Sequence, residues 1–157
     1  MGVVHRDLKM ENVMVDWEVV DEFTGEQEMI CKVCDFGFVT VLEAGQNTRQ
    51  KLGTPNYMAP EICNGRPYDT KVDIWALGIL TYCLLSGGRF PFDDLKPQQL
   101  SYKIRVVQPN YGFVKKYGKP EVLKHFLQRC LEKNPEKRAT AAELLQHDWL
   151  QGHLKEQ

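Results

Sequence analysis

The stretch His5-Arg6-Asp7-Leu8-Lys9-Met10-Glu11-Asn12 sets a carboxylate, an ammonium and a carboxamide at positions n, n+2 and n+5 of one segment, just ahead of a β-like run. A carboxylate such as Asp7 can orient a hydroxyl and accept its proton. The Lys9 ammonium can neutralise a phosphoryl oxygen, and the Asn12 amide oxygen can ligate a hard cation. A second carboxylate stands in Asp35-Phe36-Gly37, directly after another β-like run, where it can face Asn12 across a hairpin and share Mg²⁺ with it. Phosphoryl transfer asks little covalent chemistry of a protein, so a base and two Mg²⁺ ligands held in position meet half of its requirements.

Positioning these groups falls to a few elements. Val13-Met14-Val15 and Met29 to Val33 are short apolar runs separated by Thr24-Gly25 and a polar stretch, which predicts a two-stranded hairpin. Asp16, Glu18, Asp21, Glu22, Glu26 and Glu28 surround its tip, with no basic residue until Lys32. That reads as an acidic solvated loop, with a docking surface for a basic partner as the alternative. Residues 44–60 show no period and carry Gly45, Gln46, Asn47, Gly53, Pro55 and Pro60, so they form a long loop, a length that is often functional.

Lys71 to Ser86 is apolar nearly all round and stops at Gly87-Gly88, the pattern of a buried central helix. Leu100, Ile104 and Val107 predict an amphipathic helix after Pro97, and Val122, Leu123, Phe126, Leu127, Cys130 and Leu131 another. A capping box, Thr140-Ala141-Ala142-Glu143, opens a last helix ahead of Leu144 and Leu145. The fold class is therefore mainly α with a small β-hairpin.

At 157 residues, 43% hydrophobic and 26% charged, the chain can bury one core. A formal charge of −1 gives no reason to expect nucleic acid or an anionic membrane as partner. The first residues become charged by Arg6, unlike a signal peptide, and no apolar run is long enough to cross a bilayer. Five scattered cysteines read as reduced thiols in a cytosolic or nuclear setting. Cys31 and Cys34 stand three apart in a strand pattern, on opposite faces, which favours strand packing over a metal or redox pair.

The series HRDLKxEN, DFG, Gly53-Thr54-Pro55-Asn56-Tyr57-Met58-Ala59-Pro60-Glu61 and Asp73-Ile74-Trp75-Ala76-Leu77-Gly78 resembles the serine/threonine branch of the protein kinase superfamily. The likeness runs from about Val3 to about Leu150, so residues 1–150 resemble a partial kinase domain and 151–157 a tail. It implies ATP and Mg²⁺ as cofactors and a protein as substrate. By that resemblance Asp7 is the catalytic base, Lys9 contacts the transferring phosphate, and Asn12 and Asp35 hold Mg²⁺. Lys9 with Thr54 nearby resembles serine/threonine rather than tyrosine kinases.

The same resemblance makes Glu61 and Arg138 a buried ion pair and Asp73 the brace of the catalytic loop. His5 and Phe36 match the lower half of the hydrophobic spine, and Met14 the residue beneath adenine. Arg6 matches an arginine that pairs with a phosphate on the activation segment. Gln50 stands where that segment usually carries threonine, which makes Thr48 the nearest candidate for phosphorylation. Glu11 lies where relatives read a basic residue of the substrate, or serves only as a spacer. Pro55 and Phe90-Pro91-Phe92-Asp93 are most similar to calcium/calmodulin-type kinases.

The chain departs from the family upstream. Only four residues precede His5, and no G-x-G-x-x-G or V-A-I-K-like motif occurs. The expectation is thus a C-terminal lobe alone, with weak Mg-ATP binding by itself and with Leu80 and Leu84 short of cover. Two readings follow: a serine/threonine kinase represented by a fragment, or a catalytically inactive kinase-derived interaction module. A hairpin between Asn12 and Asp35 longer than is usual in the family leaves the site assignments intact.

Overall fold

In a computed structural model, residues 2–21 and 25–154 are described; Glu22 and Thr24 of the expected hairpin tip, and residues 155–157 of the tail, lie outside them. The fold is mainly helical, with two small two-stranded sheets. The expected hairpin forms from β2 (Val13–Asp21) and β3 (Glu26–Val33), antiparallel, in register from Val13 opposite Val33 to Trp17 opposite Met29 and onward. Both strands run further than their apolar cores, because charged residues that read as loop are carried in the ladder. Lys32 and Asp16 pair at 3.2 Å across it, an exposed bridge of modest worth.

A second sheet is absent from the sequence reading. β1 (Gly2–Val4) pairs antiparallel with β4 (Thr40–Leu42), Val4 opposite Thr40, and Val4 is fully buried. This pairing ties the segment before Asp7 to the segment after Gly37, so both candidate loops leave from one fixed point.

Helix α1 (Pro60–Cys63) is a single turn, and α2 (Lys71–Ser86) is the axis of the molecule. Val72, Trp75, Ala76, Ile79, Leu80 and Cys83 are buried around α2, which explains an apolar pattern with no polar face. Gly87 ends the helix in the left-handed region, at φ 78°, and the Gly88 amide donates to the Cys83 carbonyl at 2.8 Å, closing the last turn. Leu84, expected to lack cover, is exposed, whereas Leu80 is not.

α3 (Pro97–Val106) buries Leu100 and Ile104, and Val107 falls just past its end. α4 (Pro120–Cys130) buries Leu123, Phe126, Leu127 and Cys130. α2 and α4 cross at Gly78: a Cβ there would stand 2.7 Å from Cys130 Cβ and 2.9 Å from Leu131 Cδ2. The close approach is therefore possible only without a side chain. The capping box forms, with Thr140 Oγ1 accepting from the Glu143 amide, but α5 (Ala141–Leu145) is short. A further helix, α6 (Asp148–Leu154), carries on through residues that the sequence leaves as tail.

Trp75 stacks on Phe92 with centroids 5.8 Å apart, and Lys133 lies over the Phe92 ring at 4.4 Å while donating to the Ile104 carbonyl at 2.6 Å. Burial pulls the Lys133 amine down to about 8. Cys83 and Cys130 are buried thiols that burial pushes up to about 11 and about 12. Among the described residues, no helix is long and apolar enough to cross a membrane.

Candidate active site

The segment between β1 and β2 is fixed by α2. Asp73, in the first turn of that helix, accepts the His5 amide at 2.6 Å on one oxygen and the Arg6 amide at 3.0 Å on the other. Burial raises the Asp73 carboxyl, and these two donors oppose the rise. Arg6 is thereby held at φ 70°. It and Asp35, at φ 61°, are the two non-glycine residues with positive φ among the described residues. Both flank the same site, and backbone strain of this kind persists only where surroundings enforce it.

Turning the chain at Arg6 sends Asp7 inward, where it is buried. Its Oδ2 takes the Lys9 ammonium at 2.8 Å, and its Oδ1 takes both the Thr54 amide at 2.9 Å and the Thr54 hydroxyl at 2.7 Å. Lys9 Nζ also reaches Thr54 Oγ1 at 3.2 Å. Burial pushes the Asp7 carboxyl up, but the hydrogen bonds from Lys9 and Thr54 outweigh it and hold the group below the usual carboxylate range. The partner ammonium is shifted upward by the hydrogen bond to Asp7.

Asn12, buried at the end of a short 3-10 turn (Met10–Asn12), donates Nδ2 to the Asp7 carbonyl at 2.9 Å. That orientation leaves Oδ1 as the atom able to accept a cation. Its backbone carbonyl receives the Cys34 amide at 2.9 Å, which fastens the two ends of the hairpin at the site. Asp35 follows, exposed, with Oδ1 accepting the Gly37 amide at 3.3 Å. Phe36 is exposed on one side and meets His5 edge-on at 5.4 Å, and His5 Nε2 lies 3.1 Å from the Cys34 carbonyl.

Thr54 reaches Asp7 because Gly53 sits at φ +104°, where a Cβ would be 2.5 Å from the Arg6 carbonyl oxygen. Only glycine allows that close passage of the 44–60 loop over the Asp7 segment. The Arg6 guanidinium joins that loop to the segment after Gly37: Nη1 donates to Gln50 Oε1 at 2.5 Å, and Nε donates to the Phe38 carbonyl. Unmodified Thr48 makes other contacts. Its backbone bridges to Tyr68 at 3.0 and 2.9 Å, and its hydroxyl accepts from the Gln50 amide.

The structure thus brings Asp7, Lys9, Asn12 and Thr54 together, with Asp35 and Phe36 on the adjoining turn. Met14 is exposed on β2 and Glu11 is exposed beside Asn12. Glu61 and Arg138 lie apart from this cluster as a fully buried bidentate pair, at 2.7 and 2.9 Å, and Arg138 also donates to the carbonyls of Lys71 and Glu132. The pair links the end of the loop to α2 and to the segment before α5. Gln50, the Phe38 carbonyl and Gly53 escaped the sequence reading as site components. Gly53 carried a signal, a glycine adjoining Thr54 in a loop, and Gln50 stood where the kinase resemblance sets a threonine on the segment that pairs with Arg6.

Among the described residues, no group of three or more His, Cys, Asp or Glu could hold a metal. The Asn12 amide oxygen and the Asp35 carboxylate are all-oxygen donors, two in number. That set suits Mg²⁺, which keeps water and phosphate oxygens in its shell, and not a caged ion.

The protein kinase domain family matches residues 1–150, and the chain belongs to that family. It is 38% identical over 149 residues to a probable myosin light chain kinase of Dictyostelium discoideum, covering 95% of this chain and 36% of that protein. Rat calcium/calmodulin-dependent protein kinase type 1B is 35% identical over 154 residues, covering 97% of this chain and 42% of its own. An SNF1-related protein kinase catalytic subunit alpha of Arabidopsis thaliana is 36% identical over 156 residues, 97% and 28% respectively. The chain therefore spans less than half the length of these relatives.

Proposed function

We propose that this chain forms the helical, C-terminal lobe of a protein serine/threonine kinase and carries the residues that act on the hydroxyl of a protein substrate. The observation that carries the reading is the Asp7 carboxylate, buried and held by Lys9 and Thr54 through three short contacts. Asp7 orients the incoming hydroxyl and accepts its proton as the new O–P bond forms and the bond from the γ-phosphorus to the bridging oxygen of ATP breaks, releasing ADP. The contacts that lower its pKa keep it ionised at neutral pH, so it is always ready to accept. Lys9, on the same carboxylate, lies within reach of the transferring phosphoryl and offsets its charge. Thr54 fixes the carboxylate plane through two donors and brings the 44–60 loop against the place where substrate binds.

Mg²⁺, when bound with ATP, supplies charge neutralisation at the phosphates; Asn12 Oδ1 and the Asp35 carboxylate are the atoms here that would hold it. Asn12 is preset for that role by its bond to the Asp7 carbonyl. Met14 offers an apolar surface near these groups, fit for a nucleobase. Glu11, exposed beside the site, favours a substrate with a basic residue. The names of the relatives, all kinases, support the same class of reaction.

Incubation of the protein as expressed from its own gene with Mg-ATP and a mixed peptide library tests this. Phosphoserine and phosphothreonine are the expected products. Phosphotyrosine would contradict the serine/threonine assignment, and peptide capture with no phosphate transfer would favour a binding module instead.

A further inference from the structure

His125 on α4 and His147, just ahead of α6, stack with ring centroids 5.0 Å apart, and His125 Nδ1 lies 2.8 Å from His147 Nε2. The far nitrogen of His147, Nδ1, is 3.1 Å from the Trp149 amide nitrogen. A backbone N–H can only donate, so His147 Nδ1 carries no proton. The neutral ring then bears its proton on Nε2 and donates it to His125 Nδ1, which must also be bare. One directional chain results: Trp149 amide to His147 Nδ1, and His147 Nε2 to His125 Nδ1.

This chain sits where α6 is attached. The His147 acceptor satisfies an orphan amide in the first turn of α6, the role of a helix cap. Phe126 of α4 packs on the His147 ring at 5.3 Å and on Trp149 at 4.6 Å. Trp149 also walls an apolar cleft of about 420 Å³ with Leu85, Tyr117 and Leu123. A proton added to either ring breaks the relay. On His147 Nδ1 it opposes the Trp149 amide, and on His125 Nδ1 it opposes the His147 N–H.

The surrounding charges give no compensation for a second cation. Arg129 on α4 is paired with Glu143 of α5 at 3.2 Å, and Lys124 with Glu121 at 3.6 Å a turn earlier. Lys119 lies at the far end of α6, against Gly152. Asp148, on α6 itself, is the one acid acting on His147 and is exposed. Burial, then the neighbouring His125, lowers the His147 pKa, and Asp148 opposes them without reversing the shift.

We propose that the His125–His147–Trp149 relay is a proton-sensitive clasp that holds α6 on α4 while both rings are neutral and releases α6 when either ring is protonated. The sign follows from the lowered His147 value: the clasp is complete above about pH 6.5, the ordinary histidine value, and is lost as pH falls through the lower folded value. Release frees Trp149 from the cleft it shares with Leu85 and Leu123.

Amide hydrogen exchange of the 157-residue chain between pH 7.5 and pH 5, corrected for the intrinsic pH dependence of exchange, tests the clasp. Protection at Trp149, Leu150 and Gln151 is expected to fall about tenfold for each pKa unit by which His147 is lowered, with Ile79 and Cys83 in α2 unchanged. The doubly substituted His125→Gln, His147→Asn chain keeps an acceptor at each position but titrates at neither, and its α6 protection is expected to be flat across the same range. Protection of α6 that is flat in the unsubstituted chain, or a fall shared equally by α2, would overturn the proposal. So would a fall that persists in the double variant.

Discussion

Glu61 and Arg138 form a buried pair, and Arg138 also donates to two backbone carbonyls. Removing one partner strands a charge in the core. Glu61→Gln should lower unfolding free energy by roughly 3–5 kcal/mol in urea titrations, whereas a loss under about 1 kcal/mol would mean the pair is solvated in solution. Asp7 makes a different prediction, because the base role proposed for it rests on ionisation. Since Lys9 and Thr54 hold its pKa down, the stability it adds is full above the ordinary carboxylate value and lost as pH falls through the lower folded value. The pH–rate profile of phosphate transfer should accordingly show its acid limb below about pH 4, and in Thr54→Ala that limb should move upward. The cluster Asp7, Lys9 and Asn12 was legible in the sequence because six consecutive residues contain it. Gln50 as the Arg6 acceptor was not, since the contact joins positions 44 apart and is made by an uncharged amide where the resemblance leads one to look for a phosphate.

At the scale of elements, what the sequence showed and what it hid divide by the range of the contact that decides each. α2 announces itself by a long apolar run with a Gly-Gly stop, and α4 by its buried stripe, because helix signals are local. β1 and β4 are three residues each and exist only by pairing with one another across the site, so neither has a signal of its own. α6 was missed for a similar reason: its cap comes from a histidine side chain and its packing from Phe126, neither visible as periodicity. The same logic yields a test of the α2–α4 crossing. Gly78→Ala must push Cys130 and Leu131 aside, and should cost about 1–3 kcal/mol of stability with the fold retained. An unchanged denaturation midpoint would show that α4 does not approach α2 so closely.

Across the described residues, two hydrophobic clusters that share α2 support two loops that meet over Asp7, while one face of the β2–β3 hairpin stays open. Val15, Trp17 and Met29 are exposed on that face, and Cys31, opposite Val15, is exposed with them. Thiol labelling of the native protein should therefore modify Cys31 early and leave Cys83 and Cys130 untouched until denaturant is added. Their burial and raised pKa values, about 11 and about 12, both oppose reaction. Simultaneous labelling of all five would mean that the core is open. The central claim is that this core exists to hold Asp7 for phosphoryl transfer, and one comparison tests it most directly. Transfer of the ATP γ-phosphate to serine and threonine peptides is measured for the protein as its gene encodes it and for Asp7→Asn, which keeps the size of the side chain and one acceptor oxygen, turns an amide NH2 toward one of the former donors, and removes the base. The account predicts a loss of roughly 10²–10⁴-fold in rate, measured at a temperature where both proteins are folded. Equal rates for the two proteins would contradict it.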